Sequence, residues 1–147
     1  QVAREERGAA YYVRAGNDSY TDHGIFEIAA GVDNKKIKAV IAAILKEAKR
    51  LKEELVPESE LRKVKDSLIG HLYLGLEKSD EIASFYGAQE ILKNEIFTPA
   101  ELAKKIEAVE PQDLKKAARA IFKDKGMNMA VIGPFKEKGE FAETLHL

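Results

Sequence analysis

The order of hydrophobic periods constrains this chain most: two short runs of period two come first, and helical period then continues almost to the end. Residues 10–15 and 25–32 alternate as strands, and Phe26, Ile28, Ala30 and Val32 fall on one wholly apolar face. Asp22-His23-Gly24 marks the turn between them. From residue 35 to 55, Ile37, Val40, Ile41, Ile44, Leu45, Ala48, Leu51 and Leu55 recur in steps of three and four, a helical stripe with lysines and glutamates on its solvated side. Leu61, Val64, Leu68, Leu72 and Leu76 make a second stripe, and Ile82, Phe85, Tyr86 and Gln89 a third that faces the core.

Two shorter helices are announced by their end chemistry. Thr98 and Glu101 have the spacing of a capping box, with Pro99 at the first helical position. Pro111 opens a helix through Leu114, Ala117, Ala118, Ile121 and Phe122, which Gly126 ends before residues 127–132 return to the sheet. The order β-β-α-α-α-α-α-β predicts an α+β domain, helices packed on one face of a mainly antiparallel sheet. That domain is expected to span residues 1–135, and residues 136–147 to form a tail or linker.

Composition excludes several function classes. A chain of 147 residues can bury a sizeable core. Its 24 basic and 25 acidic side chains leave a net charge of -1, without the clustered basic excess of a nucleic-acid footprint. Lys35-Lys36 and the lysines from 46 to 52 are interleaved with glutamate, so they read as a helix face and not a basic patch. No apolar run reaches the length of a bilayer span. There is no cysteine, hence no disulfide and no thiolate metal site. A soluble protein is expected, with the cytoplasm favoured over the periplasm.

The candidate chemistry sits at the start, in Arg4-Glu5-Glu6-Arg7-Gly8-Ala9-Ala10-Tyr11-Tyr12-Val13. A charged, helix-compatible stretch meets Gly8, which reads as the left-handed residue just past a helix end. A strand-type run follows, so Arg4 and Tyr11 flank a tight turn. A phenol donates one hydrogen bond without carrying charge, and a guanidinium offers several donors in a planar fork. Neither is a base or a nucleophile here. Both suit the binding of carbonyl oxygens, including one on which negative charge develops.

This element resembles the arginine–tyrosine segment of the pitrilysin-type zinc metallopeptidases, the family of insulysin and the mitochondrial processing peptidases. Further stretches are similar in the same order: Tyr20 to Val32, Pro57-Glu58-Ser59-Glu60-Leu61 with Val64-Lys65, Leu76-Glu77-Lys78-Ser79, Thr98-Pro99-Ala100-Glu101, Val109 to Leu114, and Val131-Ile132-Gly133-Pro134. Ala9 departs from the family's usual leucine. The resemblance implies a mitochondrial-processing-peptidase-like α+β domain of the second, non-zinc type. The family's zinc motif, His-x-x-Glu-His, is absent, since His23, His71 and His146 all lack that context.

The resemblance therefore implies that this chain binds no cofactor, and that zinc is held by another domain or a partner subunit of the same family. It also implies a peptide substrate, with Arg4 holding the substrate backbone and Tyr11 donating to the scissile carbonyl or oxyanion. Alone, such a domain would be inactive. A catalytically idle scaffold or core subunit, and a peptide-binding module that takes extended chains on a strand edge, are the alternatives. Gln1-Val2-Ala3 offers no N-cap and no full turn before the motif, which predicts a piece of a larger protein whose earlier part is missing here.

Other polar features read as structural. Gly70 and Gly75 lack the following Lys-Ser or Lys-Thr of a phosphate loop, so close helix packing is expected there. His71 reads as a helix-surface or capping residue and His23 as a hairpin-tip residue, Glu77 and Glu81 as solvated, and Asp22 as a local turn acceptor.

Overall fold

The computed structural model describes residues 10–92, 95–135, 139 and 141–147. Two strands come first, β1 (Ala10–Ser19) and β2 (Gly24–Val32), followed by α1 (Ile37–Glu53), α2 (Glu58–Leu74), α3 (Ser79–Leu92), α4 (Pro99–Glu107) and α5 (Pro111–Ile121), with a 3-10 turn at Ala142–Thr144. The α+β class and the order of the first seven elements follow the sequence pattern. The chain divides into two compact units, one of Gln1–Glu54 with Lys115–Leu147 and the other of Leu55–Leu114.

In the first unit β1 and β2 pair antiparallel, from Ser19↔Gly24 at the turn to Ala10↔Val32. The apolar face of β2 is used as expected at one point: Phe26 meets Phe122, just beyond α5, edge to face at 5.2 Å. Val40, Ile41 and Ala48 of α1 are buried, as is Ala118 of α5. The end of α1 is closed by cations from α5. Arg119 Nε donates to the Lys52 carbonyl at 2.9 Å and Lys115 Nζ to the Glu53 carbonyl at 2.6 Å. These carbonyls have no partner inside their own helix, and the helix C-terminus favours positive charge.

Two expectations for this unit change. Residues 127–132 form no strand among the described residues; the sheet there has only β1 and β2. Ile132 is fully exposed. Their β-type side chains supply propensity, but a strand exists only where a neighbour completes its ladder. The segment read as a tail or linker places Phe141 in the core at 5% exposure, edge to face with Phe135 at 5.0 Å. Gly126 lies five residues past the end of α5, in a turn where its φ of 96° falls in the left-handed region.

In the second unit Leu61 of α2 is buried, whereas Val64 and Leu68 further along its stripe are exposed. The helix that packs on α2 is α4, only 9 residues long, or roughly 13 Å, so it covers part of the stripe. Arg62 pairs with Glu107 at 3.2 Å and Lys65 Nζ donates to the Glu107 carbonyl at 2.6 Å. Gly70 has open space where a side chain would stand, so close packing does not explain it; Gly75 is the residue that ends α2.

Gln89 is the buried polar side chain of α3, at 6% exposure. Its amide works like a short piece of strand. Oε1 accepts from the Phe97 N–H at 3.0 Å, and Nε2 donates to the carbonyls of Phe97 and Phe85 at 3.2 and 3.3 Å. This fixes the approach to α4, whose capping box forms as the spacing requires: Glu101 N–H donates to Thr98 Oγ1 at 3.3 Å, and Glu101 Oε2 accepts from the Thr98 N–H at 2.8 Å.

Two predictions follow from the second unit. Gln89→Leu keeps the volume but leaves both main-chain groups of Phe97 without a partner, so urea denaturation should show a loss on the order of 2 kcal/mol; a change under about 0.5 kcal/mol would mean that water replaces the amide. The hydrogen bonds from Thr98 hold the Glu101 carboxyl below its ordinary value of 4.5, with help from Lys104 and Lys105. A depressed carboxylate contributes stability above the unfolded pKa and loses it as pH falls through the lowered folded value. Glu101→Gln removes the titrating carboxylate, so it should lower the melting temperature by a few degrees at pH 7 and flatten its decline below pH 4.5. Parallel melting curves for both proteins across that range would refute the linkage.

Candidate functional site

Between the pairs Ala10↔Val32 and Tyr12↔Gly31 the first strand advances two residues while the second advances one. Tyr11 is the extra residue. Such a bulge interrupts strict alternation, bends its strand and re-aims a side chain, and bulges concentrate beside working sites. Tyr11 is 79% exposed, the phenol standing free of the core. A hydroxyl so placed is available to a partner from outside the hairpin.

The neighbouring residue makes a close contact across the ladder. Tyr12 stands opposite Gly31, and its ring lies over that glycine. A Cβ built on Gly31 would fall 2.8 Å from Cδ1 of Tyr12 and closer still to Cε1. Only glycine accepts the ring at this separation. Neither residue stands out in the sequence by its chemistry; the available signal was a glycine interrupting an apolar strand, which marks a bulge or a close approach.

Arg4, the other member of the predicted pair, and Gly8 lie outside the described residues. The other polar features sit apart from Tyr11. The hairpin tip is at the far end of β1, roughly 26 Å away for eight residues of strand. There His23 stacks on Tyr20 with ring centroids 4.4 Å apart, and its Nδ1 lies 2.6 Å from Asp22 Oδ1. His71 Nδ1 is 2.7 Å from the carbonyl of Ser67, one turn earlier in α2, and the residue is exposed, which is the helix-surface place of its two expected readings. Among the described residues no three His, Cys, Asp or Glu side chains gather to hold a metal ion. Nor is any described helix long and apolar enough to cross a membrane.

Comparison with known proteins bears on this arrangement. A family model described as "Peptidase M16 inactive domain" matches residues 1–68, which include the arginine–tyrosine element and the whole hairpin. By this match the chain resembles the pitrilysin-like M16 peptidases, in their second-type domain. An uncharacterised zinc protease of Bacillus subtilis is 28% identical over 134 residues, covering 91% of this chain and 32% of the relative. The β subunit of the mouse mitochondrial-processing peptidase is 27% identical over 125 residues, covering 85% of this chain and 25% of the relative. The chain thus spans about a third of the length of the bacterial relatives it matches. Among solved structures, a chain of complex III2 from Candida albicans superposes with a TM-score of 0.70 at 22% identity, over 80% of this chain and 28% of the other. That likeness bears on the fold, and it agrees with the α+β reading.

The sequence carries no His-x-x-Glu-His motif, and no cluster of metal ligands gathers among the described residues. The hairpin offers an exposed donor, Tyr11.

Proposed function

We propose that this domain supplies substrate-binding and oxyanion-stabilising residues to a zinc-dependent endopeptidase that acts on unstructured peptides. The observation that carries the reading is the free phenol of Tyr11 at the strand bulge, within a segment similar to the family's arginine–tyrosine element. The sequence has no zinc motif and the described residues gather no ligand set, so on this reading zinc belongs to a zinc-motif-bearing domain of the same polypeptide or to a partner subunit. There it would polarise the carbonyl and activate water.

This domain's part is to bind and orient. When the peptide carbonyl becomes tetrahedral, its oxygen gains negative charge, and a donor already aimed at it lowers the barrier without reorganisation. The phenol of Tyr11 provides that donor and keeps its proton throughout. Arg4 holds substrate main-chain carbonyls and supports Tyr11. An extended peptide is the fitting substrate, because its carbonyls are not occupied by internal hydrogen bonds.

The complete protein tests the reading. Tyr11→Phe keeps the ring and removes the hydroxyl, so kcat for peptide cleavage should fall about 10²- to 10³-fold while KM changes little. Removal of zinc with a chelator should abolish cleavage, and added zinc should restore it. Equal kinetics for Tyr11→Phe and the parent would remove the role of Tyr11. No cleavage under any metal condition, by the complete protein with its partners, would favour a scaffold or peptide-capturing domain of the same fold.

A further inference from the structure

We propose that Tyr12 and Gly31 form a steric lock that places the bulge at Tyr11, which makes both of them positioning residues for the phenol. The proposal rests on the reading of Tyr11 as a substrate-facing donor and extends it to what holds that donor in place. Ladder hydrogen bonds alone do not choose where an extra residue goes. A slip of one position exchanges the two faces of a strand, so the choice must come from side chains.

On β2 the choice is narrow. Ala29, Ala30 and Val32 each carry a Cβ, and Gly31 alone among them leaves the backbone bare. The ring of Tyr12 lies on that bare position, in space that a single methyl group would fill. Tyr12 is therefore pinned opposite Gly31. With Ala10 paired to Val32 on the other side, Tyr11 is the residue left over. An aromatic ring covering a glycine across the ladder also shields the bare backbone and fixes register. A methyl group on Gly31 drives the ring off β2 and releases the bulge, and with it the phenol; a misplacement of about 1 Å suffices to lower a rate by roughly 10²-fold.

The experiment uses the complete protein with two readouts, amide hydrogen exchange at residues 10–13 and steady-state peptide cleavage. Gly31→Ala and Tyr12→Ala should each speed exchange at those amides and lower kcat about tenfold or more, with KM within about twofold. Tyr12→Phe keeps the ring and should recover both the exchange pattern and the kcat lost in Tyr12→Ala. In a Tyr11→Phe background, Gly31→Ala should cause no further loss, since it acts through the missing hydroxyl.

Unchanged exchange in Gly31→Ala and Tyr12→Ala would overturn the lock, whatever the kinetics. So would an undiminished effect of Gly31→Ala in the Tyr11→Phe background. If Gly31→Ala does not fold, the Tyr12 series carries the same test. If Tyr11→Phe is kinetically silent, the functional reading fails, and faster exchange in the variants would still support the lock as a structural device.

Discussion

One mismatch between two strands governs the hairpin: β1 spends two residues where β2 spends one. Everything about the exposed tyrosine depends on it. In a regular ladder the residue after Ala10 would take the opposite face and its own partner across the sheet. The extra residue has no such partner, so its side chain is not committed to packing within the hairpin. The next aromatic ring covers a glycine on the facing strand. A bare backbone position, usually a weakness in a strand, here receives the ring beside the bulge.

Away from the hairpin, both units close helix ends in the same manner. The last carbonyls of α1 accept from Lys115 and Arg119 of α5, and the last carbonyl of α4 accepts from Lys65 of α2. In each case a long cationic side chain crosses from one helix to the C-terminus of another, where orphan acceptors and the negative end of the macrodipole coincide. The near-even balance of basic and acidic residues is therefore not only a solvated coat. Several of its lysines and arginines tie helices together at defined points, and Gln89 does the same for the approach to α4 with a neutral amide.

The proposed function divides the chemistry between domains. The described residues here gather no set of metal ligands. A phenol by itself cannot hydrolyse a peptide, because it does not activate water. As a hydrogen-bond donor it needs only to be aimed, and aiming is a property that a strand bulge can supply.

The sequence by itself determined the elements. Hydrophobic period set the hairpin and the helices, and local end chemistry set the starts of the last two: the Thr98–Glu101 box and the prolines that open α4 and α5 act within a few residues of chain, so they are legible without tertiary knowledge. The resemblance to the M16 peptidases was legible for the same reason. Tertiary structure decided the rest. Whether residues 127–132 make a strand depends on a distant partner for each N–H and C=O, and no propensity reports that. Whether Phe141 belongs to a tail or to the core depends on what Phe135 leaves open to it. The bulge at Tyr11 is visible only once its neighbour Tyr12 is paired with Gly31, nineteen residues from Tyr12 in the chain. Such pairings depend on which residues meet in space, and a one-dimensional pattern holds no record of that.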